Sequence, residues 1–78
     1  MTEAQIQSKI IDRYEKDGYM VVKLIQTSKN GIPDLLLLKD GIASFIEVKT
    51  ETGRLSELQK YRIKQLEEKG FKVEVVNK

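Results

Sequence analysis

Asp34, Glu47 and Lys49 place two carboxylates and an amine where a β-rich sequence ordinarily has none. They lie in GIPDLLLLKDGIASFIEVK, residues 31–49, two apolar runs joined through Lys39-Asp40-Gly41. A two-residue Asp-Gly turn makes this a hairpin. It sets Asp34 opposite Glu47, where Cβ atoms of facing residues stand about 4.5–5.5 Å apart. Glu47 and Lys49 are two apart and share that face, beside Leu36 and Phe45. Carboxylates held so close repel and do not both stay ionised unaided. A divalent cation removes the conflict. Mg²⁺ takes one or two carboxylates in an octahedral oxygen shell and leaves positions for water and phosphate. A neighbouring lysine can orient or deprotonate an attacking water and offset charge growing on a phosphate. The three side chains suit metal-assisted phosphodiester hydrolysis.

Each also has a local explanation. An aspartate after proline bonds nearby backbone in turns, and Glu-x-Lys occurs by chance on solvated strands. Ala43 and Phe45 make this face partly apolar, which weakens the second explanation. Joint occurrence, not any one residue, carries the reading.

The chain has 78 residues. That is one domain, residues 1–78, which buries only about 60–65% of the surface its unfolded form exposes. There is no cysteine and no histidine, so disulfides and zinc held by sulfur or imidazole are excluded. Any metal must be a hard cation on oxygen ligands, and self-association is a natural way to gain buried area. Fourteen Lys+Arg against 12 Asp+Glu give a net charge of +2, too mild to announce a nucleic-acid binder by itself. The opening MTEAQIQSKI lacks the basic and apolar regions of a signal peptide. No apolar run has membrane-spanning length. A soluble, cytoplasmic protein without a membrane partner is the expectation.

Thr2 to Gly18 reads as a helix, with Thr2 and Gln5 in capping-box spacing and Ile6, Ile10 and Tyr14 on one stripe. Tyr19 to Ile25 reads as a strand and QTSKNG as a polar loop. Pro33 to Leu38 and Ile42 to Lys49 form the hairpin. Leu55 to Gly70 is a second helix, with Ser56 and Gln59 as its capping box and Leu58, Ile63 and Leu66 as its apolar surface. Phe71 to Val76 alternates as a last strand. The order is α-β-β-β-α-β. Three strands form an antiparallel meander, and a right-handed crossover through the second helix brings the fourth parallel to the third. Middle strands apolar on both faces call for a helix on each side. The fold class is therefore α/β, a mixed four-stranded sheet flanked by helices.

Pro33-Asp34 followed by Glu47-Val48-Lys49 resembles the P-D…E-x-K signature of the PD-(D/E)XK nuclease superfamily, whose restriction-endonuclease-like core has this same element order. More narrowly, GIPD, IEVKTETGRLSELQ and GFKVEVV are similar to the short stand-alone form of the virus-type replication-repair nuclease (VRR-NUC) domain, over Glu3 to Val76. The resemblance implies that Asp34, Glu47 and the Val48 carbonyl bind Mg²⁺ or Mn²⁺, with Glu3 completing the set. It implies that Lys49 is the catalytic lysine and that Gln59 stands near the site. Glu3 is equally explained as an acidic first-turn residue, and Gln59 by its capping box.

Lys29, Arg54 and Lys60 are candidates for DNA contact, together with Arg62 and Lys64. A soluble loop for Lys29 and a solvated helix face for the others are the alternatives. The resemblance further implies an endonuclease leaving 5′-phosphate and 3′-hydroxyl ends, acting as a homodimer on branched DNA such as four-way (Holliday) junctions in DNA repair. Two other readings stand beside it. One is a non-catalytic DNA- or partner-binding module on the same fold; the other is a nuclease subunit that needs a larger partner.

Overall fold

A computed structural model describes Met1–Lys78. Its elements are α1 (Glu3–Lys16), β1 (Met20–Lys23), β2 (Leu35–Lys39), β3 (Ile42–Lys49), α2 (Glu57–Glu68) and β4 (Lys72–Asn77). The strands form one sheet in the order β1-β2-β3-β4. β1–β2 and β2–β3 are antiparallel and β3–β4 is parallel, as the element order requires. No helix is long and apolar enough to cross a membrane.

The hairpin has the two-residue turn that Asp-Gly favours. Asp40 (φ 54°) and Gly41 (φ 75°) both take positive φ, matching the twist of the flanking strands. Lys39 therefore faces Ile42, and the register runs on through Leu36 opposite Phe45 to Leu35 opposite Ile46. Every side-chain direction at the far end of the hairpin follows from this turn.

Boundaries differ by one or two residues from the sequence reading, with identifiable causes. β2 opens at Leu35 rather than Pro33 because proline has no N–H for the ladder. Asp34 is thus the residue just before the strand, and its carbonyl still accepts the Leu24 N–H at 2.8 Å. α2 begins at Glu57 because Ser56, extended at φ −72° and ψ 164°, is its N-cap. Both anticipated capping boxes are formed.

Ile6 and Ile10 of α1 pack on Leu35 and Leu37 of β2 and on Ile46 and Val48 of β3. Those strand residues share one face by the pleat, and they are the buried core. The other face, with Leu36, Phe45, Glu47 and Lys49, meets α2. The backbone of that helix lies close to β4, and the helix has no fully buried residue. Leu58 remains 42% exposed. The α2 face is thinly covered, and the part of it above β1, β2 and the start of β3 (Met20, Val22, Leu36, Leu38, Ala43) has no helix across it.

Candidate metal and phosphodiester site

The register carries Glu47 and Lys49 to the C-terminal end of β3, on the α2 side of the sheet. Asp34 arrives there from the preceding loop. Its Oδ2 accepts the backbone N–H of Val48 at 2.9 Å. The aspartate therefore does bond backbone, but backbone 14 residues away, beside Glu47, rather than in its own turn. This bond ties the end of β2 to β3 where the ladder stops.

Glu47 is 2% exposed. Its side chain receives the Gln59 amide at 3.4 Å and the Lys49 ammonium at 3.7 Å, both on Oε2 and both long. Its pKa is pushed up to about 7, chiefly by burial and next by the negative charge of Asp34. Lys49 pulls it down without prevailing, while a hydrogen bond with Asp34 and the negative charge of Glu3 add to the rise. A buried glutamate beside a second carboxylate thus resists ionising.

Gln59 serves two ends at once. Its Oε1 accepts the Ser56 N–H at 2.9 Å, its backbone N–H donates to Ser56 Oγ at 3.1 Å, and its Nε2 donates to Glu47 Oε2. The capping role and the site role, alternatives in the sequence, are two ends of one amide. Ser56→Ala is expected to lower stability by about 1 kcal/mol, the usual cost of a lost N-cap, measurable by urea denaturation.

Glu3 sits exposed in the first turn of α1. The structure gathers two carboxylates here, and no group of three or more Asp, Glu, His or Cys is placed to hold a metal. The donors nonetheless suit a hard ion. They are oxygens only, one belongs to a buried carboxylate with weak protein partners, and Mg²⁺ commonly takes just one or two carboxylates and keeps several waters.

A cleft of about 440 Å³ opens beside Lys49 and is lined by Arg54 and Lys60, with Glu51, Val75 and Asn77. Asn77 Nδ2 donates to the carbonyls of Thr50 (3.2 Å) and Gly53 (3.3 Å) and so ties down the loop that follows Lys49. Nothing in the sequence near Asn77 signals that role. Lys29 is exposed in the β1–β2 loop and does not line this cleft. Lys64 is exposed on α2. Arg62 is engaged within the protein, its Nε donating to the Asn30 carbonyl at 2.7 Å. Another cleft, about 380 Å³, lies at the hairpin end between Tyr14, Tyr19, Lys39 and Glu74 and contains none of the site residues.

The sequence model of the VRR-NUC domain matches residues 20–78. It takes in Asp34, Glu47, Val48, Lys49 and Gln59 and leaves out α1 with Glu3. A solved structure of a VRR-NUC domain superposes with a TM-score of 0.86 at 32% identity, covering 96% of this chain and 83% of that one. No curated protein matches.

Proposed function

Since the chain belongs to the VRR-NUC domain family, and is thus a nuclease-type DNA-binding domain, we propose that it is a metal-dependent endonuclease that hydrolyses phosphodiester bonds in branched DNA as a homodimer. One observation carries most of this reading: a nearly dry Glu47, paired with Asp34 and touched by Lys49 and Gln59.

Asp34 and Glu47, with the Val48 carbonyl, would hold Mg²⁺ or Mn²⁺; Glu3, exposed in the first turn of α1, is not grouped with them. When bound, the ion lowers the pKa of a water and draws charge from the scissile phosphate. Lys49 keeps its ammonium beside Glu47 Oε2, where it can orient the attacking water and stabilise the phosphate oxygens as they gain charge. Gln59 steadies the Glu47 carboxylate from the helix side. Arg54 and Lys60 line the adjacent cleft and supply cations for the neighbouring phosphates, and Lys29 would contact DNA farther along the loop.

Cutting both strands of a junction symmetrically takes two sites related by a two-fold axis. The sheet face with Met20, which is 63% exposed, and half-buried Val22, Leu36, Leu38 and Ala43 offers apolar surface to a second copy, running from beside Asp34 and Glu47 toward the turn of the hairpin. Sedimentation showing only monomer at working concentration would count against the dimer.

The test uses labelled four-way-junction and duplex DNA with Mg²⁺, Mn²⁺ or EDTA. Cleavage is expected in either metal, to stop in EDTA, and to be lost in Asp34→Ala. Cutting that survives EDTA or Asp34→Ala rejects this site. Binding without cutting in both metals leaves a non-catalytic module.

A further inference from the structure

Asp34 is delivered by the loop of residues 24–34, and two contacts fasten that loop to α2. Arg62 donates from Nε to the Asn30 carbonyl at 2.7 Å and from Nη1 to Gln65 Oε1 at 3.0 Å, with its guanidinium 5.4 Å from the Tyr61 ring centre. The next residue, Gly31, approaches the helix so closely that a Cβ would lie 2.8 Å from Leu58 Cγ and 3.0 Å from the Leu58 carbonyl oxygen. Its φ of +81° is also one that side-chain-bearing residues rarely adopt. Pro33 then fixes φ one residue before Asp34, which leaves little slack between the fastening and the carboxylate.

Gln59 and Arg62 are three residues apart on α2 and so lie on one side of the helix. Through Gln59 the helix touches Glu47, and through Arg62 it holds the loop that ends at Asp34. A single rigid element thereby governs both carboxylates by separate arms. Building on the nuclease reading, we propose that Arg62 is a positioning residue: it latches the β1–β2 loop to α2 and so fixes Asp34 relative to Glu47. Arg62 is half-buried, and two of its donor nitrogens are engaged inside the protein, unlike those of a guanidinium held out for DNA. Residues that orient metal ligands without touching the ion typically change metal affinity about 10–100-fold when lost.

The test compares wild type with Arg62→Ala and Arg62→Lys, using Lys64→Ala as a control on the same helix. The first readout needs no metal. The Val48 N–H is held by Asp34 Oδ2, so its hydrogen exchange, measured by NMR relative to other β3 amides, should speed up about 10-fold in Arg62→Ala, a change equivalent to about 1.4 kcal/mol. Arg62→Lys, whose ammonium can still reach the Asn30 carbonyl, should restore most of the protection and is the informative variant if Arg62→Ala does not fold. The second readout is the Mn²⁺ dissociation constant, expected to weaken about 10-fold in Arg62→Ala and not in Lys64→Ala.

Unchanged Val48 exchange in a folded Arg62→Ala protein overturns the latch. So does a loss of DNA affinity with a salt slope reduced by about one and Val48 unaffected, because that pattern marks a phosphate contact. Faster Val48 exchange in a protein whose wild type binds no Mn²⁺ would fault the nuclease reading and leave the latch standing.

Discussion

Lys49→Ala is expected to lower the single-turnover cleavage rate about 10²–10³-fold, the usual loss when one preorganised donor is removed from a site where charge develops. Mn²⁺ affinity should stay close to wild type, because the ammonium is not a metal ligand. The side chain is only 15% exposed and lies 3.7 Å from Glu47 Oε2, so its charge acts in a largely water-excluded pocket. Its removal also takes away the one nearby cation that opposes the rise in the Glu47 pKa. Proton release from Glu47 in the metal-free protein should therefore move to higher pH in the variant. Lys49→Met, which nearly keeps the shape of the side chain and loses its charge, should behave like alanine in rate. A Lys49→Ala protein that cuts within about tenfold of wild type would remove Lys49 from the chemistry, since a tenfold change is only about 1.4 kcal/mol of barrier.

The second large effect is on stability. Glu47 holds its proton up to about pH 7 in the folded protein and releases it near 4.5 when unfolded. Between those values the native state binds more protons than the unfolded state, so stability falls as pH rises through that window. The full displacement is worth roughly 3 kcal/mol at about 1.4 kcal/mol per pH unit. That is a large fraction of what a domain of this size possesses. Urea denaturation without metal should find wild type less stable at pH 8 than at pH 5. Glu47→Gln keeps the shape, cannot ionise, and should lose most of that dependence. Mg²⁺ reverses the trend, because it needs the carboxylate: saturating ion should stabilise the wild type at pH 8, do little at pH 5, and do little to Glu47→Gln at either. A wild type and a Glu47→Gln protein with the same pH dependence would show that the buried glutamate is not the group responsible.

The same carboxylate thus opposes folding of the metal-free chain and, in the proposed enzyme, provides the binding site. A core confined to the α1 face and a thinly covered α2 face leave little reserve to carry that cost. Metal and a second copy of the chain would both restore stability by binding only the folded form.

Much of this protein was settled by local sequence. Asp40-Gly41 admits the positive φ values of a tight hairpin turn, and a period of two then decides which side chains share the face with Glu47. Ser56 and Thr2, each with a glutamine three residues on, set the helix starts because those contacts close within one turn. Asp34, Glu47 and Lys49 were legible for the same reason, since the turn alone relates them. What the tertiary structure decided are contacts between residues that chain-local rules do not relate. Arg62 meets Asn30 across 32 residues, and Asn77 meets Gly53 across 24. An arginine or asparagine on a polar face looks the same whether it faces water or a distant carbonyl. Gln59 needed the fold to show that one amide could cap a helix and reach Glu47, and Glu47 needed it to become dry. Desolvation is a property of everything packed around a group, so no stretch of sequence contains it.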